Sequence, residues 1–259
     1  GKDEGDGVMF QSFVAKTRPE DGPPRLAALR AELGRMGLDG FLVPRADRFQ
    51  GENVAACDER LAWLTGFTGS AGFAAVLSDR AGVFIDGRYR VQVRAQTDAS
   101  VFTPVHWPET QLEDWLLEAR PHGAMIGFDP WLHTAAEIAR LEAALGPRQI
   151  ALTAVENPID VIWSDRPDPP MAPAQAWPIA FAGQSAEDKL ARLAADLAKA
   201  GEDAALITQP DSLCWLLNLR GGDVIHTPLL HAMGILRRDG RLDLFVEREK
   251  LAALRLPEA

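Results

Sequence analysis

Cysteine is scarce: Cys57 and Cys214 are the only two thiols in 259 residues. Two thiols so far apart do not make the dense framework of a small secreted domain, and they read as reduced, buried side chains of a reducing compartment. Neither sits in a Cys-x-x-Cys run or beside a histidine, so redox and thiol-protease readings lack support. Long apolar runs are missing too. No stretch of about 18 such residues occurs, and no membrane-spanning helix is expected. Positive charge is short, with 27 Lys and Arg against 37 Asp and Glu, a net charge of −10 and a pI near 5.0. Phosphate backbones and anionic bilayers would repel such a surface. His-Glu-x-x-His, Gly-x-Ser-x-Gly, Gly-x-Gly-x-x-Gly and the P-loop pattern are all absent, which sets aside zincins, α/β-hydrolases and nucleotide folds.

What is present is 47% hydrophobic residues, enough to build one or two cores. An internal repeat favours two. Arg25-Leu-Ala-Ala-Leu-Arg-Ala-Glu-Leu33 leads to Phe41-Leu-Val43, and Lys189-Leu-Ala-Arg-Leu-Ala-Ala-Asp-Leu197 leads to Ala205-Leu-Ile207. Leu26, Leu29 and Leu33 match Leu190, Leu193 and Leu197 at the spacing of one helix face. Gly37 and Gly201 are placed to end those helices. The apolar triplets that follow read as short buried strands. Leu61-Ala-Trp-Leu64 then matches Leu213-Cys-Trp-Leu216, and Val83-Phe-Ile85 matches Leu244-Phe-Val246.

The first copy continues with a helix at 90–97, a strand at 101–103, a helix at 110–120 and strands at 125–128 and 151–155. Residues 72–77 and 82–85 form a hairpin across Ser78-Asp-Arg-Ala81. This pattern predicts an α/β fold of two homologous three-layer domains with mixed central sheets, the second one truncated. The Pro-rich stretch Asp165-Arg-Pro-Asp-Pro-Pro-Met-Ala-Pro-Ala-Gln-Ala-Trp-Pro178 reads as an extended linker. The expected boundaries are therefore 1–23 for a flexible lead or tag remnant, 24–164 for the first domain, 165–183 for the linker and 184–259 for the second domain. Gly1-Lys-Asp-Glu-Gly-Asp-Gly7 is no signal peptide, and Met9 is the expected native start.

Thr65-Gly-Phe-Thr-Gly-Ser-Ala-Gly72 is glycine-rich, but a strand follows it rather than a helix N-terminus. It reads as a tight turn that lets backbones approach, not as a phosphate cradle. Asp86-Gly-Arg-Tyr89 turns the chain at a strand end. Arg88 carries a planar fork suited to a carboxylate or a carbonyl, and residue type alone favours an ion pair with Asp86 or Asp58 over a grip on a peptide. Of the five histidines, His226 and His231 lie near Asp223, but Pro228 interrupts them and no third or fourth ligand converges. Asn218-Leu-Arg-Gly-Gly-Asp-Val-Ile-His-Thr-Pro228 reads as a surface loop, either contacting another domain or simply connecting elements.

Six segments run in order along the chain: Phe41-Leu-Val-Pro44, Cys57-Asp-Glu-Arg60, Leu64-Thr-Gly-Phe-Thr-Gly-Ser-Ala-Gly72, Asp86-Gly-Arg-Tyr89, Ile162-Trp-Ser-Asp-Arg-Pro167 and Asn218-Leu-Arg-Gly221. Together they resemble the N-terminal region of cytosolic Xaa-Pro aminopeptidases, in the family that also holds prolidase and creatinase. The resemblance implies a cytoplasmic hydrolase that removes the residue before an N-terminal proline. It also implies two divalent metal ions, manganese being usual, in a C-terminal catalytic domain whose His-Gly-Thr-Gly-His and Glu-Pro-Gly runs this sequence lacks. No catalytic or metal residue carries over, and the chain alone is expected to be inactive. Its expected roles are shaping substrate access and making oligomer contacts, with the catalytic domain, Xaa-Pro peptides and a second subunit of a homodimer as partners, and neither nucleic acid nor membrane. One role carries over onto Arg88, as a substrate-binding residue. Asp86, Tyr89, Arg220 and His226 are candidates for interdomain or subunit contacts. The alternative is a stand-alone peptide- or protein-binding module, since domains of this kind also resemble part of a histone chaperone. Fold cannot separate the two, but a binding version would resemble the first domain alone.

Overall fold

The computed structural model describes residues 17–254. The N-terminal segment that holds Met9 lies outside them. After a short 3-10 turn at Pro19–Asp21, α1 (Gly22–Met36) starts on two prolines in its first turn. Proline there loses no hydrogen bond and pre-sets φ. This start lies inside the segment expected as a flexible lead. Leu26, Leu29 and Leu33 are 1%, 0% and 3% exposed, and Gly37 ends the helix with φ 69°.

The first unit is built on β1 (Gly40–Pro44), β2 (Phe73–Leu77), β3 (Ala81–Ile85), β4 (Thr103–His106), β5 (Ala124–Phe128) and β6 (Ile150–Ala154). They form one sheet in the order β4-β3-β2-β1-β5-β6. β1, β2 and β3 pair antiparallel, while β4 and β5 join parallel to β3 and β1, so the sheet is mixed. Its helices are α1, α2 (Arg60–Thr65), α3 (Gln92–Gln96), α4 (Leu112–Ala119), α5 (Ala135–Leu145) and α6 (Pro158–Ile162).

Both faces of this sheet are covered. Phe41, Val43, Ala74, Val76, Val83 and Ile85 point into one core with Leu29, Leu64 and Ile159. Leu42, Ala75, Leu77 and Phe84 point the other way, against Leu112, Leu116, Leu141 and Leu145. Two buried faces explain why these strands are apolar throughout rather than alternating. Each fully buried leucine or phenylalanine contributes about 1.5–3 kcal/mol. Sequence periodicity placed no helix at α5. The edge strand was expected at 101–103 and lies at Thr103–His106, because Phe102 is fully buried and packs into the core at the strand's approach.

Of the expected linker 165–183, residues 166–178 carry no helix, whereas 179–182 form a short helix, so the extended stretch ends earlier than expected, and its second half is docked. β7 (Gln175–Ala176) pairs with β9 (Leu219–Arg220) of the second unit, and Ala174 is buried with its N–H on Lys250 O at 2.8 Å. α7 (Ile179–Ala182) follows, then α8 (Ala186–Ala200), β8 (Ala204–Ile207), α9 (Pro210–Leu217), β9, β10 (Met233–Arg237) and β11 (Leu242–Phe245).

The repeat is visible in space. β8, β10 and β11 pair antiparallel in the order that β1, β2 and β3 follow. A side-chain contact repeats as well. Arg25 donates to Trp63 O at 2.6 Å with its guanidinium over the Trp63 ring, and Lys189 bonds Trp215 O with its ammonium over the Trp215 ring. A cation so placed meets the carbonyl end of each second helix.

One expectation fails. β8 was read as a buried strand, yet Leu206 is 68% exposed. In the first unit the outer edge of β1 is covered by β5. Among the described residues nothing covers the matching edge of β8. Leu193, Leu197, Ile207, Trp215 and Leu216 line an apolar groove of about 640 Å³ beside it.

Candidate functional site

Motifs that lie apart in sequence meet at two places in the first unit. At the end of β3, Asp86 Oδ1 accepts from the Arg88 N–H at 2.9 Å and starts the 3-10 turn Gly87–Tyr89. The Arg88 guanidinium folds back onto the same carboxylate, with Nε and Nη2 donating at 3.1 and 2.7 Å. That hydrogen-bonded guanidinium holds the Asp86 carboxyl below its usual range. Arg88 is well exposed, and its Nη1 has no hydrogen-bond partner among the described residues. Asp58, the other acid considered for it, pairs elsewhere.

Tyr89 turns inward instead. Its ring meets Phe67 edge-on at 5.5 Å, and its hydroxyl takes the Ser70 N–H at 3.2 Å and bonds the Ser70 hydroxyl. The Asp86–Tyr89 turn is thereby locked to the glycine-rich turn. Thr68 N donates to Gln96 Oε1 at 2.9 Å, and Arg45 Nη1 donates to Ser70 O at 3.0 Å. These contacts occupy the turn's polar groups with protein.

The second meeting place joins Cys57-Asp-Glu-Arg60 to Ile162-Trp-Ser-Asp-Arg-Pro167. Arg60 donates to Asp160 from Nε at 2.7 Å and Nη2 at 3.1 Å, and to Asp58 from Nη1 at 3.1 Å. Arg166 reaches Asp160 at 2.9 Å, and its Nε donates to Cys57 O at 2.8 Å. Burial, and then the Asp58 charge, push the Cys57 thiol up to about 11. It is a thiol, not a thiolate, at neutral pH. Both cysteines are free and buried.

Between the units lies a cavity of about 790 Å³, lined among others by Arg48, Phe49, Trp131, His231, Met233 and Phe245. Here Asp47 and Phe49, from the loop after β1, face His231. Sequence reasoning passed over Asp47. An Asp followed by Gly51 signals a capped turn, and its Oδ1 does accept from Phe49 N and Gly51 N. Nothing in the sequence pairs it with a histidine 184 positions on (231 minus 47).

Arg220 stacks on Trp177 with Cζ 3.3 Å from the ring centre, and so holds the docked half of the linker to the second unit. His226 lies exposed in a turn with φ 58°. The structure therefore brings Asp86, Arg88 and Tyr89 together and leaves Arg220 and His226 in the second unit. Among the described residues no three of His, Cys, Asp and Glu converge as ligands to a metal ion. No helix among them is long and apolar enough to cross a membrane.

Two family models, both described as the Creatinase/Prolidase N-terminal domain, match in tandem, one over residues 25–162 and one over 165–257. Over 243 residues the chain is 36% identical to the "Probable Xaa-Pro aminopeptidase P" of Coccidioides posadasii (strain C735), covering 92% of this chain and 37% of that protein. The protein of the same description from Ajellomyces dermatitidis is 36% identical, with 91% and 39% covered. The X-prolyl aminopeptidase of Caenorhabditis elegans, described as a cytosolic enzyme with a di-nuclear active site, superimposes with a TM-score of 0.83. Its sequence identity is 28%, over 88% of this chain and 39% of that one. The chain thus spans a little over a third of the length of the curated relatives, 37–39%.

Proposed function

This chain belongs to the creatinase/prolidase N-terminal domain family, and from that premise we propose that it forms the non-catalytic N-terminal portion of a metal-dependent Xaa-Pro aminopeptidase. The observation that carries the reading is the likeness to the Caenorhabditis elegans enzyme across both units at once. A lone binding module would need only the first. Fold by itself would not decide between them. The described residues offer no ligand set for the two metal ions, manganese in this reading, so these fall to a catalytic domain further along the parent chain. The parent is a cytoplasmic homodimer that takes peptides with proline in second place, and this portion shapes their entry and the contacts between subunits. The units divide near residues 165–183. The open edge of β8 and the groove beside it are where the remainder of the second unit packs, as β5 packs on β1.

The purified 259-residue chain, with or without added manganese, is expected to release no amino acid from Xaa-Pro peptides. Robust turnover that survives removal of any tag would sink the proposal.

Arg88 is the residue of this portion proposed to reach the peptide. Its exposed fork keeps Nη1 available beyond the Asp86 pair. In the full-length enzyme, Arg88→Ala should lower kcat/KM by roughly ten- to a hundred-fold, the range for one lost charged hydrogen bond. Thermal stability should hardly change, because an exposed pair contributes little to folding. Unaltered kinetics would leave Arg88 as a surface ion pair and nothing more.

A further inference from the structure

The topology of the first unit makes a crevice that the peptide contact at Arg88 does not use. β1 and β5 are neighbours and run parallel. From its carboxyl end β1 leads to α2, whose Leu61 and Leu64 lie in the core on one face of the sheet. β5 leads to α5, whose Leu141 and Leu145 lie in the core on the other face. The chain therefore leaves two adjacent strands in opposite directions. Open α/β sheets hold their ligands in the crevice at such a point. The departing loops supply Arg48 and Phe49 after β1 and Trp131 after β5, and all three line the cavity of about 790 Å³ between the units. Small-ligand clefts typically have about 300–1,000 Å³. β3 runs the same way as β1, so the crevice opens on the rim of the sheet that also carries Arg88.

The lining has the chemistry of a binding surface. The exposed Arg48 lays its guanidinium over the Trp131 ring, with Cζ 5.3 Å from the centre, and has no hydrogen bond or ion pair among the described residues. Stacking orients the fork and leaves its N–H donors free. The other cations of the cavity are engaged, Arg166 by Asp160 and Asp58, and Lys250 by Asp223. Of the two lining carboxylates, Asp58 is held by Arg60, and Glu247 has no side-chain partner among the described residues. Large apolar side chains stand open beside these charges, Trp131 at 61% and Phe245 at 57% exposure. Phe49 is held flat against His231, ring to ring at 4.4 Å. Pro169 and Pro170 complete the wall. Proline-rich backbone is a stiff spacer, so the gap between the units is set before a ligand arrives.

We propose that this crevice is a second, non-catalytic peptide site. Arg48 takes the free carboxylate of a short peptide, and Trp131, Phe49 and Phe245 cover its apolar side chains.

One free guanidinium matches one carboxylate, which it can hold through two parallel hydrogen bonds. A phosphate group carries up to about two negative charges at neutral pH. It would set the second of them against Glu247, with no further free cation in the lining to meet it. A peptide is the carboxylate chosen because the site rests on the reading above, in which the parent handles peptides.

Isothermal titration of the 259-residue chain with a tripeptide of glycine, proline and phenylalanine, both ends free, tests this. Saturable binding should appear, with a Kd of about a millimolar or tighter. The C-terminal amide of the same tripeptide should bind roughly ten-fold more weakly, because it lacks the charge that meets Arg48; ten-fold is the lower end for a charged hydrogen bond, as suits an exposed one. Arg48→Gln should abolish the preference for the acid, and Trp131→Ala should weaken acid and amide alike. Both side chains are exposed, so neither change threatens the fold. Equal binding of acid and amide by the unaltered chain, or no saturable binding, would overturn the site. So would a preference for the acid that survives Arg48→Gln and disappears in Arg88→Ala, which would assign the carboxylate to Arg88. Binding and turnover are separate readouts, so failure of this site and failure of the aminopeptidase reading are told apart.

Discussion

Replacing Arg60 by alanine is expected to lower stability by about 3 kcal/mol, the lower end of the range for breaking a buried ion pair. Arg60 is 5% exposed and fills both oxygens of Asp160 while also holding Asp58. Its removal takes the bidentate partner from Asp160 and leaves only the partly exposed Arg166 between the two carboxylates. The cost stays at the lower end because Arg166 still reaches Asp160 at 2.9 Å and Asp58 at 3.7 Å. Arg166→Ala should cost less than about 1 kcal/mol, since its side chain is 28% exposed and solvent screens the pair. Arg60→Lys keeps the charge and loses the planar match to Asp160, so it should fall between the two. Urea denaturation of the three variants, followed by fluorescence of the stacked Trp63 and Trp163, would read this order. Equal losses for Arg60→Ala and Arg166→Ala would show that the network acts as one surface cluster rather than around a buried centre.

The same network shows what the sequence could and could not tell. Cys57-Asp-Glu-Arg60 and Ile162-Trp-Ser-Asp-Arg-Pro167 were legible as motifs. That they meet was not, because 100 residues separate Arg60 from Asp160, and no local pattern encodes a contact closed only by the fold. Strands buried on both faces, such as β1 and β2, were legible because unbroken apolar runs need two covered faces. β8 carries the same kind of run and came out half exposed, since its burial depends on a neighbouring strand and not on its own residues. The repeat was read from leucines and a Leu-x-Trp-Leu pattern. Its firmest physical token, Arg25 and Lys189 each capping the helix that carries the matching tryptophan, exists only once the chain has folded. For the candidate site, Asp86-Gly-Arg-Tyr89 pointed to Arg88 and to Asp86 or Asp58 as its acid, and the geometry selects Asp86. Asp47 and His231 gave no joint signal, because an unpartnered carboxylate is defined by what surrounds it.

The glycine-rich turn gives the second large effect. Gly66→Ala is expected to cost about 3 kcal/mol or more, from two separate sources. Gly66 ends α2 in the left-handed region at φ 86°, where a side chain costs about 1–2 kcal/mol. A Cβ there would also stand 2.2 Å from the backbone oxygen of Gln96. That atom lies at the end of α3, and Gln96 in turn bonds Thr68 through both its Oε1 and its Nε2. Relief of the overlap must shift backbone and so loosen the turn that Tyr89 and Ser70 lock together. Gly37 separates the two sources. It ends α1 at φ 69°, with nothing within 4 Å of a built Cβ. Gly37→Ala should therefore show the conformational part alone, about 1 kcal/mol. The excess of Gly66→Ala over Gly37→Ala measures the close approach of α2 and α3 for which the glycine is needed. Thermal and urea unfolding of the two single variants would give that difference, and equal losses would mean that the Gln96 carbonyl yields freely and that the turn needs glycine only for its backbone angle.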